Sequence, residues 1–167
     1  MLRTVSSVNQ LISAEIDSGI EPGRIVVGGF SQGAAMSILT GLTSERKLAG
    51  VVSLSGWAAL RNKLAAVSKS YVFGNISDTT FQMRTSHASS TPIFWGHGTA
   101  DPLVTFNIGK ASVEFLTTRL GLPAVSDDAS DAASLKGIMF KSYSGLQHGA
   151  APEELTDLKE WLKKILP

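Results

Sequence analysis

The feature that most constrains this chain is a serine placed between a short apolar run and a helical pattern. The β-branched residues 25–27 lead into Gly29-Phe30-Ser31-Gln32-Gly33, and a helical pattern begins at once. A G-x-S-x-G sequence between a strand and a helix forms a sharp, strained turn, and its two glycines let the neighbouring chain approach. Ser31 is therefore predicted to be a nucleophile at a helix N-terminus, where the helix dipole favours negative charge. The alternative is an ordinary glycine-rich turn that contains a serine.

Composition excludes several classes of protein. A chain of 167 residues with 43% hydrophobic and 17% charged residues suits one globular domain, which we place over residues 1–167. The 15 basic and 14 acidic residues form no basic block, so a nucleic-acid partner is not expected. The absence of cysteine excludes disulfides, thiolate zinc sites and thiol nucleophiles. The N-terminal residues lack the apolar core of a signal peptide and no apolar run approaches a membrane span, which predicts a cytoplasmic protein.

Strand and helix patterns alternate along the chain. Strands are predicted over residues 24–28 (buried), 48–54, 91–96 and 137–143. Helices are predicted over residues 5–16, closed by Gly19, and over 34–42, 106–120 and 152–166. A polar excursion with one helical turn at 63–67 occupies residues 61–90, and a mobile loop residues 123–134. This alternation predicts an α/β fold, a mostly parallel sheet with helices on both faces.

Two of these strands are followed by side chains that titrate. Asp101 comes after the strand over 91–96, and His148 comes after the strand over 137–143. Reacting groups gather at the carboxyl ends of parallel strands, and the chain order serine, acid, histidine is that of α/β-hydrolases. A histidine can take the serine proton near neutral pH, while a carboxylate holds the imidazole in the useful tautomer. The residues alone leave open a turn role for Asp101 before Pro102, and a surface or packing role for His148.

The other candidate residues have weaker patterns. His97 is interpreted as structural and His87 as solvated. Glu114 and Glu153 are expected on helix surfaces. The residues expected to border an acyl pocket, unless they belong to the core, are Trp57, Leu103 and Val104.

These motifs together resemble the acyl-protein thioesterase/carboxylesterase (lysophospholipase-like) branch of the α/β-hydrolases. The resemblance runs from about Ser6 to the C-terminus and includes Leu54-Ser55-Gly56-Trp57, His97-Gly98-x-x-Asp101-Pro102-Leu103-Val104 and Lys141-Ser142-Tyr143-x-Gly145-x-x-His148. It implies a Ser31, Asp101 and His148 triad that cleaves carboxylic esters or S-acyl thioesters, with an S-acylated protein or a lysophospholipid as substrate. It implies no metal and no organic cofactor.

The chain departs from this family at its start and in two loops. Residues 68–90 and 126–134 are longer than is usual in the family, so acyl-chain preference does not carry over. Family members also have additional N-terminal strands and a His-Gly-x-Gly-like loop that supplies a second oxyanion donor, and nothing like it occurs here. The backbone N–H of Gln32 is then the remaining donor, and catalysis is expected to be weakened.

The strand before Ser31 is expected to have a free edge, across which the chain would dimerise. The alternative function is an inactive, truncated hydrolase that binds a partner through that edge.

Overall fold

The sheet places the ends of three strands side by side. The computed structural model describes residues 1–61 and 85–167, and its five strands pair in parallel in the order β1-β2-β3-β5-β4. The strands are β1 (Val26–Phe30), β2 (Gly50–Leu54), β3 (Pro92–Gly98), β4 (Ala124–Val125) and β5 (Gly137–Tyr143). The helices are α1 (Leu2–Asp17), α2 (Gln32–Thr43), α3 (Phe106–Thr118) and α4 (Pro152–Ile165). The predicted α/β class with a parallel sheet is confirmed.

The register aligns the carboxyl ends of the central strands. Phe30 pairs with Leu54, Leu54 with Gly96, and Gly96 with Lys141. The segments that follow β1, β3 and β5 therefore leave the sheet at one edge. Groups that are far apart in sequence come together there for this reason.

Both faces of the sheet are covered. Alternate residues of a strand point to opposite faces, so Ile93 and Trp95 of β3 join a core cluster with α1, α2 and α3, while Phe94 joins a second cluster with Trp161 of α4. Phe94 and Trp95 are fully buried, which makes β3 the centre of the fold. Helices on both faces agree with the prediction.

The first strand differs from the prediction. A buried strand over residues 24–28 was expected, but β1 runs Val26–Phe30 and none of its residues is fully buried. It is the edge strand of the described sheet, and only β2 pairs with it. An edge strand has a neighbouring strand on one side only, so less of its surface is covered and its apolar residues remain half-exposed. The free edge expected at this strand is present in the described residues.

Periodicity predicted the helices well but misplaced some side chains. Leu11, Ile108 and Leu155 follow the apolar spacing, yet they are 68%, 43% and 50% exposed. Spacing along one helix does not show which part of its apolar side the rest of the chain covers. Gly19 closes α1 with a φ of +101°, as predicted.

Two further differences lie in the loops. The segment predicted as a loop over 123–134 contains β4, a two-residue strand that pairs with β5 and is too short for periodicity to reveal. Of the polar excursion over 61–90, residues 62–84, including the turn predicted at 63–67, lie outside the described residues. The described part holds a 3₁₀ turn at Ala88–Ser90.

Candidate active site

Ser31 lies at a strained corner between β1 and α2. Its φ of 55° and ψ of −119° are unusual for a residue with a side chain and cost roughly 1–3 kcal/mol. Two hydrogen bonds hold it: the Ser31 N–H donates to the Leu54 carbonyl at 2.9 Å, and the Ser31 carbonyl accepts from Ala35 N–H at 3.1 Å. The neighbouring strand and the first turn of α2 thus fix the predicted elbow.

The two glycines of the elbow have different roles. A Cβ on Gly29 would overlap the backbone of Gly33, so a side chain there would displace the start of α2. A Cβ on Gly33 would meet nothing within 4 Å. The expectation that both glycines allow close approach is therefore wrong for Gly33, because a side chain at that position would point into open space.

His148 bridges Ser31 and Asp101. Its Nε2 lies 3.0 Å from Ser31 Oγ, and its Nδ1 lies 2.7 Å from Asp101 Oδ2. The ring of Phe30 packs against the imidazole with 4.7 Å between ring centroids. The structure thus brings together the three side chains that sequence reasoning selected.

Asp101 is buried, and both of its carboxyl oxygens have hydrogen-bond partners. Burial raises its pKa, but hydrogen bonds from His148 and from the backbone N–H groups of Leu103 and Val104 lower it, and the net shift is downward. Both N–H groups donate to Oδ1 at 2.9 Å. An ionised Asp101 can only accept, so His148 presents its Nδ1–H to Oδ2 and its Nε2 lone pair to Ser31.

Backbone hydrogen bonds join the loop that carries Asp101 to the loop that carries His148. Thr99 N–H donates to the Tyr143 carbonyl at 2.9 Å, and Ala100 N–H donates to the Leu146 carbonyl at 3.1 Å. A Cβ on Gly98 would overlap the Leu146 carbonyl, so the close approach of the two loops requires glycine there. The distance between acid and histidine is therefore set by backbone contacts.

The other histidines lie outside this arrangement. His97 is fully buried, and its Nε2 lies 2.8 Å from the Val104 carbonyl, which agrees with a structural role. His87 was expected to be solvated, but it is half-buried and its Nε2 lies 3.0 Å from the Ser44 carbonyl. The end of α2 supplies this contact, which the surrounding polar sequence does not indicate. Glu114 and Glu153 are exposed, as predicted.

The three residues expected at an acyl pocket have different surroundings. Trp57 packs partly buried against the larger core cluster. Val104 is half-buried, whereas Leu103, two residues after Asp101, is 73% exposed. Of the three, Leu103 presents the most apolar surface beside the acid, and the acyl-pocket role stays a prediction.

Glu154 is the buried group that sequence reasoning missed. It is fully buried in the first turn of α4, neither carboxyl oxygen has a hydrogen-bond partner among the described residues, and a Cβ on Gly96 would overlap Oε1. Burial raises its pKa. A glycine within a buried strand is the one sequence signal that could have pointed to it. It indicates that a side chain from elsewhere fills the space above Gly96.

The described residues contain neither a cluster of metal-binding side chains nor a helix suited to span a membrane. Within residues 1–61 and 85–167, no group of three or more His, Asp or Glu side chains is placed to hold a metal ion. In the same ranges, no helix combines the length and apolarity that crossing a bilayer requires.

A parallel sheet with serine at a strand–helix elbow, and with aspartate and histidine after later strands, defines an α/β-hydrolase. Solved structures agree. Arabidopsis thaliana SOBER1 superposes with a TM-score of 0.75 at 28% identity, over 99% of this chain and 64% of that one. Zea mays acyl-protein thioesterase 2 superposes with a TM-score of 0.68 at 25% identity, over 99% and 64%.

The chain belongs to the phospholipase/carboxylesterase family, whose model matches residues 1–166. It is similar to acyl-protein thioesterase 1 of Cryptococcus neoformans, with 46% identity over 99% of this chain and 62% of that protein. It is also similar to acyl-protein thioesterase 1 of Aspergillus fumigatus, with 37% identity over 100% of this chain and 58% of that protein. The chain thus spans about three fifths of the length of these relatives.

Proposed function

We propose that this chain is a serine hydrolase that cleaves carboxylic esters or S-acyl thioesters through an acyl-enzyme. The observation that carries the proposal is the His148 ring, which lies 3.0 Å from Ser31 Oγ on one side and 2.7 Å from Asp101 Oδ2 on the other. A nucleophile, a base within hydrogen-bond reach of it and a group that orients the base are the parts that nucleophilic acyl transfer requires.

Each residue has one part in the proposed reaction. Ser31 Oγ attacks the acyl carbon while its proton passes to His148 Nε2, and the buried Asp101 carboxylate stabilises the imidazolium. The tetrahedral intermediate collapses, the alcohol or thiol leaves with the proton from His148, and the acyl group stays on Ser31. Water then attacks the acyl-enzyme with His148 again as base, and the carboxylic acid is released.

The oxyanion of the intermediate needs donors that are in place beforehand. Gln32 is the first residue of α2, so its backbone N–H has no partner within the helix and lies at the positive end of the helix dipole. We assign it as an oxyanion donor. One such donor is typically worth ~10²–10³ in kcat, so a second donor supplied to this site would raise turnover by a comparable factor.

We infer S-acylated proteins or lysophospholipids as the substrate class. Relatives at 46% and 37% identity are named acyl-protein thioesterases, and the family is named for phospholipases and carboxylesterases. The exposed side chain of Leu103 beside Asp101 is a surface on which an acyl chain could pack. Trp57 and Val104 are the other residues that we propose contact this chain.

Covalent labelling tests the proposal. Purified chain is treated with a fluorophosphonate, the modified residue is identified by mass spectrometry, and turnover of p-nitrophenyl butyrate and of an S-acyl thioester is measured. We expect label on Ser31, and neither label nor turnover in Ser31→Ala. Ser13→Ala removes an exposed serine of α1 and is the matched control, since it should label and turn over as the wild type does. A folded wild-type chain without label would refute the proposal.

The free edge of β1 favours one other function, that of an interaction module without turnover. In the described sheet β1 pairs only with β2, and its last residue, Phe30, is 41% exposed. An unpaired β-branched edge can add a strand from a second copy of the chain. This alternative predicts a stable dimer by light scattering and no hydrolysis of short p-nitrophenyl esters. A monomer at every concentration tested would contradict it.

A further inference from the structure

We propose that His97 is a positioning residue that orients the Asp101 carboxylate towards His148. The proposal rests on the proposed function, because the orientation matters only if the Ser31, His148 and Asp101 array reacts. His97 itself is fully buried and touches neither Ser31 nor the space in front of it. It acts through the turn formed by residues 101–104.

The backbone of one residue, Val104, links His97 to Asp101. The Val104 carbonyl can only accept, so His97 Nε2 carries the proton and donates to it at 2.8 Å. The N–H of the same Val104, together with that of Leu103, donates to Asp101 Oδ1 at 2.9 Å. Because the N–H donors occupy Oδ1, the other oxygen, Oδ2, is directed at His148 Nδ1, 2.7 Å away.

The electrostatics act in the same direction. His97 Nε2 lies 3.7 Å from Asp101 Oδ2, and both side chains are fully buried. That distance is too long for a hydrogen bond, but it places the positive end of the Nε2–H dipole beside the carboxylate in a medium of low dielectric constant. The imidazole thus favours the orientation of the carboxylate that the reaction needs.

Neighbouring residues keep the His97 ring in this position. A Cβ on Gly109 of α3 would overlap Nδ1 and lie 2.7 Å from Cε1. The ring of Phe106 meets the imidazole edge-on, with 6.1 Å between centroids. The glycine of α3 therefore leaves space that the imidazole fills, and the ring lies between Gly109 and Phe106.

Packing alone does not account for a histidine here. Its Nδ1 has no hydrogen-bond partner among the described residues although it is buried, which is unfavourable for a polar atom. A leucine would fill a similar volume without that cost. The use of imidazole is explained by the hydrogen bond that only Nε2–H makes, to the turn that carries Asp101.

Three variants test the proposal. His97→Leu removes the donor but keeps the volume, and His97→Gln places an amide N–H near the position of Nε2. Gly109→Ala removes no polar group but pushes on the ring, and alanine favours the helix in which it lies. His87→Leu is the matched control, because it deletes a half-buried histidine outside the site whose Nε2 likewise lies close to a backbone carbonyl, at 3.0 Å.

Turnover of a p-nitrophenyl ester provides the first readout. A shift of the acid by a fraction of an ångström or more should lower kcat roughly 10- to 100-fold in His97→Leu and Gly109→Ala, with KM nearly unchanged because the loss is confined to the transition state. His97→Gln should recover most of this loss, and His87→Leu should not show it. The proposal is overturned if Gly109→Ala and His97→Leu keep wild-type kcat, or if His87→Leu loses as much.

The second readout does not depend on turnover. In a Ser31→Ala background, the His148 Nδ1 proton is followed by NMR, because the 2.7 Å bond to Asp101 should shift it to low field. Adding His97→Leu or Gly109→Ala should move or broaden this resonance, whereas adding His87→Leu should leave it in place. An unchanged resonance in both variants would refute the positioning role even if the chain is active.

A chain without ester turnover would instead refute the proposed function and leave this readout valid. If His97→Leu does not fold, Gly109→Ala and His97→Gln decide the question.

Discussion

Replacing Asp101 by asparagine changes one atom of the site and should invert the proton arrangement of His148. Oδ1 is held by the N–H groups of Leu103 and Val104, both at 2.9 Å. The asparagine carbonyl must take that place, because an amide NH₂ cannot accept from them. The NH₂ group then faces His148 Nδ1 at the position of Oδ2, 2.7 Å away in the wild type.

The consequence for catalysis follows from the tautomer. An NH₂ group donates, so His148 Nδ1 must accept and the ring proton moves to Nε2. Nε2 then faces Ser31 Oγ across 3.0 Å with a proton instead of a lone pair, and it can no longer act as the base. Loss of the correct tautomer in a serine hydrolase costs about 10⁴-fold in kcat, and we expect a loss of that size here at neutral pH.

The assay is the kcat of p-nitrophenyl butyrate hydrolysis at pH 7, with thermal unfolding of each variant as a check on folding. Asp17→Asn is the control, since Asp17 is exposed at the end of α1 and should keep wild-type kcat. A folded Asp101→Asn variant with kcat within tenfold of the wild type would refute the reasoning. In that case the two N–H donors would not determine the amide orientation, or His148 would not be the base.

Further predictions concern stability. Gly29→Ala forces a Cβ into the backbone of Gly33 and should destabilise the chain by about 1–3 kcal/mol in urea unfolding, whereas Gly33→Ala, which meets nothing within 4 Å, should be neutral or stabilising. Burial raises the pKa of Glu154 above 4.5. The stability of the wild type relative to Glu154→Gln should therefore be greatest below pH 4.5 and should fall as pH rises through the pKa of the folded state. A stability difference independent of pH would contradict this. The pKa of Asp101 is lowered below 3.8, so the advantage of the wild type over Asp101→Asn in unfolding free energy should be present above pH 4 and be lost as acid titrates the folded carboxyl. Equal slopes for these two proteins between pH 5 and pH 2 would show that the hydrogen bonds to Asp101 do not favour its ionised form.

The sequence predicted the strands and the edge at which they end better than it predicted the burial of side chains. The four longer strands each appear as a short apolar run, and residues that follow such runs are expected at one edge of a parallel sheet. Asp101 and His148, 47 residues apart, and His148 and Ser31, 117 residues apart, do meet there. The inference succeeded because parallel strands that connect through helices all end on the same side.

Burial was predicted less well, because it depends on what packs against a residue. The run before Ser31 looked like a buried strand, yet β1 is the edge of the described sheet and half-exposed. Glu154 has the spacing of a surface residue in the first turn of a helix, yet the absence of a side chain at Gly96 leaves space for it inside. The β4 strand is two residues long and exists only because β5 lies beside it.

The sequence by itself therefore determined the fold class and selected a serine, an acid and a histidine that meet at one edge of the sheet, because strand periodicity and turn chemistry are local properties. The tertiary structure decided the distances between them and the residues that hold them in place. The backbone C=O and N–H of Val104 join His97 to Asp101, and the Gly98 contact joins the acid loop to the histidine loop. Such contacts depend on the order and register of the strands and on how closely two backbones approach. These are properties of the packed chain, and no local pattern in the sequence encodes them.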